Sequence, residues 1–339
     1  MRPRAPDEHD GPDGPEAGAG RDERTDLRRV PVASRPDKVG AGDFAAPPVP
    51  GGSFAQFLDS LPHILQADAF RAVAAAVVGA VARRRTCLWM LGGHVVKTGL
   101  NRVLIDLVER RAVTHVAVNG STVIHDYETC RWGGTSEDVE AGLADGTFGM
   151  AEETGRDMNL AIRRGAAEGL GLGEALSADL AARNDNRYPE LSLLLATRRL
   201  DVRLTVHAAI GAEIIHQHPE ADGAAIGETS YRDFMTLSRG IDGLDGGGVA
   251  LNVGSAVLMP EVFLKALTIR RNLTNGRPRD FVTADFDMIP HYRPRVNVVE
   301  RPTRTGGGRG YQITGHHEIM IPLLAWTIAE AVSNGSERG

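Results

Sequence analysis

The stretch Cys87-Leu88-Trp89-Met90-Leu91-Gly92-Gly93-His94-Val95-Val96-Lys97-Thr98-Gly99 decides the fold. Its first five residues are apolar, too short a run for a buried helix and bounded by glycine, which predicts a strand buried on both faces. The glycine pair ends the strand, and apolar residues return at helical spacing over 100–108. Upstream, Phe54, Phe57, Leu58 and Leu61 fall on one helical face. A second helix is predicted over 69–81, closed by Arg83, Arg84 and Arg85 at its negative end. Downstream, strands are predicted at 114–118, 203–206, 248–253 and 281–284, with helices at 139–143, 158–169, 191–196, 262–272 and 319–332. Short strands joined through helices imply right-handed crossovers. The expected fold class is therefore α/β: a doubly wound, mostly parallel sheet with helices on both faces.

The 339 residues are 42% hydrophobic and 24% charged, enough to bury a sizeable core. A net charge of -6 argues against nucleic acid as a partner. Two cysteines, Cys87 and Cys130, cannot form a disulfide framework and fit a reducing, cytoplasmic setting. No apolar run approaches the roughly 20 residues of a membrane span, and the N-terminus lacks the apolar core of a signal peptide. Residues 1–50, rich in Pro, Gly, Asp, Glu and Arg, are expected to be a disordered tail, and 51–335 a single domain. The 40 glycines imply tight turns and close backbone approaches, as in folds that hold phosphates and nucleotides.

In a parallel sheet, ligands sit beyond the carboxyl ends of the strands. The residues there are small and polar: Gly92, Gly93, His94, Thr98 and Gly99 after the first strand, and Asn119, Gly120, Ser121 and Thr122 after the second. Later turns carry Gly254 and Ser255, then Thr283, Ala284 and Asp287. None matches the Gly-x-Gly-x-x-Gly or P-loop pattern, so their recurrence after successive strands carries the nucleotide expectation. Histidine supplies candidate bases at His207, His291, His316 and His317, since imidazole titrates near neutrality. His216 and His218 share a face if extended, but no pair has the i, i+4 metal-binding spacing, so no metal is expected. Arg293, Arg295 and Arg301, with Glu318, are candidate substrate contacts, the arginines for an anionic group. Glu213 and the pair Glu152-Glu153 could face a cationic substrate.

These blocks resemble the deoxyhypusine synthase family over about 87–332. His94-Val95-Val96-Lys97-Thr98-Gly99 stands where that family has S-N-L-I-S-S-G, and Val118-Asn119-Gly120-Ser121-Thr122-Val123 where it has T-T-A-G-G-V. Residues 248–257, with Gly254 and Ser255 in the turn, are similar to its G-M-I-I-L-G-G-G-V-V. Thr283-Ala284 and Phe286-Asp287 match its T-A and F-D, and Gly315 to Leu324 its A-D-A-S/T-x-x-F-P-L-L-V. The resemblance implies an NAD-binding fold and a homotetramer or homodimer with shared active sites. The family's lysine, carried in S-W-G-K, falls here at Glu300-Arg301-Pro302-Thr303, and no lysine follows Asn272. Arginine cannot form the family's imine. The expectation is thus an NAD-dependent transferase or oxidoreductase acting on a small amine- or hydroxyl-bearing metabolite without a lysine adduct. The alternatives are a homospermidine-type aminobutyl transferase on free polyamines and a non-catalytic dinucleotide-binding protein.

Overall fold

The computed structural model describes residues 23–336; the first part of the expected tail lies outside them. The chain divides into two compact units, 1–42 and 43–339. The described part of the first contains short 3-10 turns at Glu23–Asp26 and Val32–Ser34.

The second unit is built on six parallel strands: β1 (Cys87–Leu91), β2 (His115–Asn119), β3 (Arg203–His207), β4 (Val249–Val253), β5 (Val282–Asp287) and β6 (Arg309–Thr314). Their order is β3-β2-β1-β4-β5-β6, so chain direction across the sheet reverses between β1 and β4. That reversal opens the crevice where open α/β sheets take their ligands. The fold is α/β with every strand pairing parallel, which sharpens the expected mostly parallel sheet.

The two faces of the sheet bury separate cores. Trp89, Leu91, Val116, Val118, Leu251 and Phe286 pack on one side, together with apolar residues of the helices Leu65–Ala82 and His317–Ser336. Leu88, Met90, Ala117 and Ala250 pack on the other with Leu237 of Gly223–Gly240 and Phe263 and Leu267 of Leu258–Leu273. Trp89 is fully buried, and its indole N–H donates to Ala112 O at 3.2 Å, so its polar atom is satisfied. Truncating a large side chain in such a core costs about 2–5 kcal/mol.

Helix Leu65–Ala82 corrects one expectation, because it is long and apolar enough by composition to cross a membrane. In the fold it instead lays Phe70, Val73, Ala74, Val77 and Ala80 into the core. Strand β6 is a second correction. The Gly306 to Gly310 run reads as a loop, yet its last two residues open the strand Arg309–Thr314, which pairs with β5 as an edge strand that is mostly not buried. The third concerns the segment between β2 and β3, where the structure adds helices Gly120–Trp132 and Leu172–Ala182 to the predicted ones. Asp126 ties this insertion down: its carboxylate accepts from Asn101 Nδ2, Ser192 Oγ and the backbone N–H groups of Leu193 and Leu194 at 2.7–3.1 Å.

Candidate functional site

Beyond the carboxyl ends of β1 and β4 the turns touch backbone to backbone. A Cβ on Gly92 would lie 2.0 Å from Gly254 O, so no other residue fits there without displacement. Gly254 has φ 67°, the left-handed region that favours glycine, and a Cβ on it would lie 2.8 Å from His317 Cε1. His317 Nε2–H donates to Phe286 O at 3.2 Å, which leaves Nδ1 as a buried lone pair without a hydrogen-bond partner among the described residues. The half-buried His94 ring lies 5.4 Å from that of His317. Burial lowers the His94 pKa, helped by His317 and Lys97 and opposed by Glu318 and Asp287. Asp287 is nearly buried and accepts from its neighbour Met288 N at 2.7 Å.

One turn further along the edge the carboxylates gather. Gly93 abuts the helix Gly120–Trp132: a Cβ on it would lie 2.6 Å from Ser121 Oγ and 3.3 Å from His125 Cδ2. Beside it opens a cavity of about 210 Å³ whose polar wall is Lys97, Ser121, His125, Glu128, Glu137 and Glu213. Phe148 and Ile214 contribute apolar wall. Three carboxylates face one ammonium there.

Glu213 is held firmly. Its Oε1 accepts from Gly120 N at 3.2 Å and from Ala209 N at 2.9 Å. His216 Nε2 lies 3.1 Å from Oε2, while His216 Nδ1 accepts from Gly211 N at 3.2 Å. Burial pushes the Glu213 carboxyl up against those backbone N–H groups, and burial lowers His216. Burial likewise raises Glu128, opposed by hydrogen bonds from Thr135 and Thr154.

The start of helix Gly120–Trp132 therefore does not fit a phosphate, because the Glu213 carboxylate already takes Gly120 N and the Asn119 side chain takes Thr122 N. The β1 and β4 turns stand at the point where open α/β sheets take their ligands, with His94 and Asp287 near them and a nitrogen without a hydrogen-bond partner on buried His317.

Not every candidate residue reaches this edge. Gly93, His94, Gly254, Asp287 and Glu318 gather at the β1, β4 and β5 turns, and Gly120 and Ser121 stand between them and the cavity. Asn119 caps its helix by accepting from Thr122 N and from the Ser121 and Thr122 hydroxyls. Thr122 is buried, and its hydroxyl also lies within bonding distance of Leu91 O. Thr98 closes the helix Gly93–Lys97 with its hydroxyl on His94 O and Val95 O. Ser255 Oγ accepts from Met259 N at the start of helix Leu258–Leu273. Thr283 and Ala284 lie inside β5 with no exposure.

His207 is buried beside Thr205, and burial pushes its pKa down to about 3, which makes it a poor base near neutrality. His317 is buried over Gly254, His316 is exposed 3.7 Å from Glu318, and His291 precedes the helical turn Tyr292–Pro294. The arginines do not converge on an anion. Arg293 lies 3.3 Å from Glu261, Arg295 pairs with Glu300 over the Tyr292 ring, and Arg301 donates to Asn297 Oδ1 at 2.8 Å. His218 bonds Gly149 O at 2.8 Å, away from His216. Among the described residues no group of three His, Cys, Asp or Glu is placed to hold a metal. The sequence reading did not single out Lys97, His125, Glu128 or Thr135 as site residues. The signal for the first three was their position within three helical turns of a strand end.

No family model matches the chain, and no curated protein does. Among solved structures it is similar to a candidate deoxyhypusine synthase from Entamoeba histolytica, with TM-score 0.52 and 10% identity over 83% of this chain and 94% of that one. It also matches an arginine dihydrolase from cyanobacteria (TM-score 0.47, 12% identity, 80% of this chain, 34% of that one). A third match is AgrE in a ternary complex with ornithine and NAD+ (TM-score 0.48, 12% identity, 78% and 33%). The chain thus spans about a third of the length of these last two proteins. The likeness to the Entamoeba protein is one of fold: a six-stranded parallel α/β sheet with helices on both sides.

Proposed function

We propose that this protein is a nicotinamide dinucleotide-dependent transferase or oxidoreductase whose substrate is a small amine- or hydroxyl-bearing metabolite. The observation that carries this reading is the carboxylate-walled cavity of about 210 Å³ beside Gly93, next to the turns where a dinucleotide would lie. Its volume lies below the roughly 300–1,000 Å³ of drug-sized sites, which favours a small substrate. Glu128, Glu137 and Glu213 favour a cationic end through charge-assisted hydrogen bonds. Gly93, His94, Gly254 and Asp287 would hold the dinucleotide, which when bound supplies a hydride acceptor. The chain's own residues bind the cation, orient the reacting carbon toward the β1 turn and take up a proton.

Lysine stands only at 38, 97 and 265, and Lys97 alone lines the cavity. The reading without a lysine adduct predicts that borohydride added with substrate leaves Lys97 unmodified; a reduced adduct there overturns that part. The same edge exposes Val257, Ile289, Tyr292 and Ile319 beyond the ends of β4, β5 and β6, at 51–63%. We take these as the contact of a second copy over the site, and Tyr292→Asp is expected to halve the mass seen in sedimentation.

Titration with NAD, followed by thermal shift or tryptophan fluorescence, tests the cofactor. No binding at millimolar NAD refutes it. Incubation with NAD, spermidine and putrescine tests the amine: a new polyamine selects the aminobutyl transferase. Tight NAD binding with no turnover on any small amine or alcohol selects a non-catalytic dinucleotide-binding protein.

A further inference from the structure

One wall of the cavity holds a chain of hydrogen bonds that substrate charge alone does not explain. His125 Nδ1 lies 2.7 Å from Thr135 Oγ1, and Thr135 Oγ1 lies 2.5 Å from Glu128 Oε2. The second oxygen, Glu128 Oε1, accepts from Thr154 Oγ1 at 3.0 Å. His125 and Glu128 are three residues apart on helix Gly120–Trp132, so they share a face. Thr135 comes from the loop beyond that helix. The loop is fixed in turn, since Gly149 N donates to Glu137 Oε1 at 2.9 Å and Ser136 sits in the left-handed region at φ 67°.

The direction of the chain follows from proton counting. A carboxylate only accepts, and a threonine hydroxyl has one proton. With that proton given to Glu128, Thr135 can only accept from the imidazole, so Nδ1 carries the ring hydrogen and Nε2 the lone pair. The Nε2 side is the Cδ2 edge, which faces Gly93 and the β1 turn. We infer that His125 is the general base of the site, with Thr135 and Glu128 as positioning residues that keep its lone pair on Nε2.

This rests on the proposed reading of the cavity as the substrate site. In the step itself, a substrate O–H or N–H proton passes to Nε2 and the electron pair of that bond stays on the substrate atom. The imidazolium that forms keeps its Nδ1–H on Thr135, and Glu128 balances its charge.

The test uses the full chain labelled with 15N-histidine, with no cofactor or substrate present. Long-range proton–nitrogen spectra report each tautomer, and His125→Gln identifies the signals of His125. The expected result is the Nδ1–H form in the wild type. Thr135→Val shifts the tautomer ratio toward Nε2–H by about fivefold, the factor set by one ordinary hydrogen bond. Thr135→Ser, which keeps the hydroxyl, retains the wild-type ratio, and the other histidine signals stay in place in both variants. An Nε2–H form in the wild type, as a protonated Glu128 donating back along the chain would produce, overturns the inference. So does an unchanged ratio in Thr135→Val. Because no ligand is in the tube, failure to bind NAD or amines refutes the proposed function without moving this readout. Once a substrate is in hand, Thr135→Val lowers kcat with KM unchanged, and an effect on KM alone overturns the positioning role.

Discussion

Replacing Gly120 with alanine tests the internal carboxylate directly. A Cβ there would lie 2.4 Å from Glu213 Cδ and 2.6 and 2.7 Å from its two oxygens, so the carboxylate has to leave. With it go the hydrogen bonds from Gly120 N and Ala209 N and the contact with His216. Bonds to a charged acceptor contribute about 1.5–3 kcal/mol each, a gross loss of about 3–6 kcal/mol. Alanine returns up to about 1 kcal/mol through helix propensity, and the expelled carboxylate regains water. The expected net destabilisation is about 2–4 kcal/mol. At about 2–4 °C per kcal/mol for a large domain, Tm falls by about 4–16 °C. The assay is a double-mutant cycle by urea and thermal unfolding. With Glu213→Ala already in place the space is empty, so Gly120→Ala should cost less than about 0.5 kcal/mol or stabilise. Equal costs in the two backgrounds would refute the idea that Glu213 fills this helix start.

Asp285 spans the sheet, accepting from Asn252 Nδ2 at 2.7 Å and Gln312 Nε2 at 3.2 Å, and burial pushes its pKa up to about 7. The folded state then binds more protons than the unfolded one, so its contribution is full below pH 3.8 and is lost as pH rises through about 7. Asp285→Asn should flatten the fall of stability between about pH 4 and pH 7, by at most about 1.4 kcal/mol per pH unit, in urea unfolding at several pH values; an unaltered slope refutes it. Arg131 is buried at 6% exposure, pairs with Asp157 and Asp185 at 3.3 and 2.9 Å, and stacks against Trp132. Arg131→Met should cost about 1.5–3 kcal/mol in chemical unfolding, the worth of a charged hydrogen bond, because Asp157 keeps Arg156 and Arg183 at 3.0 and 3.2 Å. Gly254→Ala should lower both Tm and NAD affinity, since its φ and His317 leave no room; thermal melts with and without NAD separate the two effects.

The strands and the turns that follow them were legible because their signals are local. A run such as 87–91 is apolar on both faces, and a glycine pair stops it. Strand β6 was not, since Arg309, Gly310 and Gln312 suit an exposed edge and show neither alternation nor a long apolar run. Helix Gly120–Trp132 was hidden for the opposite reason: Thr122, Asp126 and Arg131 are buried beside Val123 and Tyr127, so it has no apolar stripe. The glycine half of the site could be read from composition after strands. Of the carboxylate half only Glu213 was read as facing a cation; Glu128 and Glu137 were not, and the contact of Glu213 with Gly120 across 93 residues is one no local pattern encodes. His207 looked like a strand-end base, and only its burial among sheet residues shows otherwise.

The helix start filled by Glu213 has a consequence for traffic along the sheet edge. A negative group brought to the cavity meets Glu128, Glu137 and Glu213 against the one ammonium of Lys97, so a cation is favoured there and an anion is not. On the proposed function, ligands of opposite sign would be sorted into adjoining berths by fixed charge. That sorting weakens as ionic strength rises and the Debye length shrinks to about 3 Å at 1 M salt.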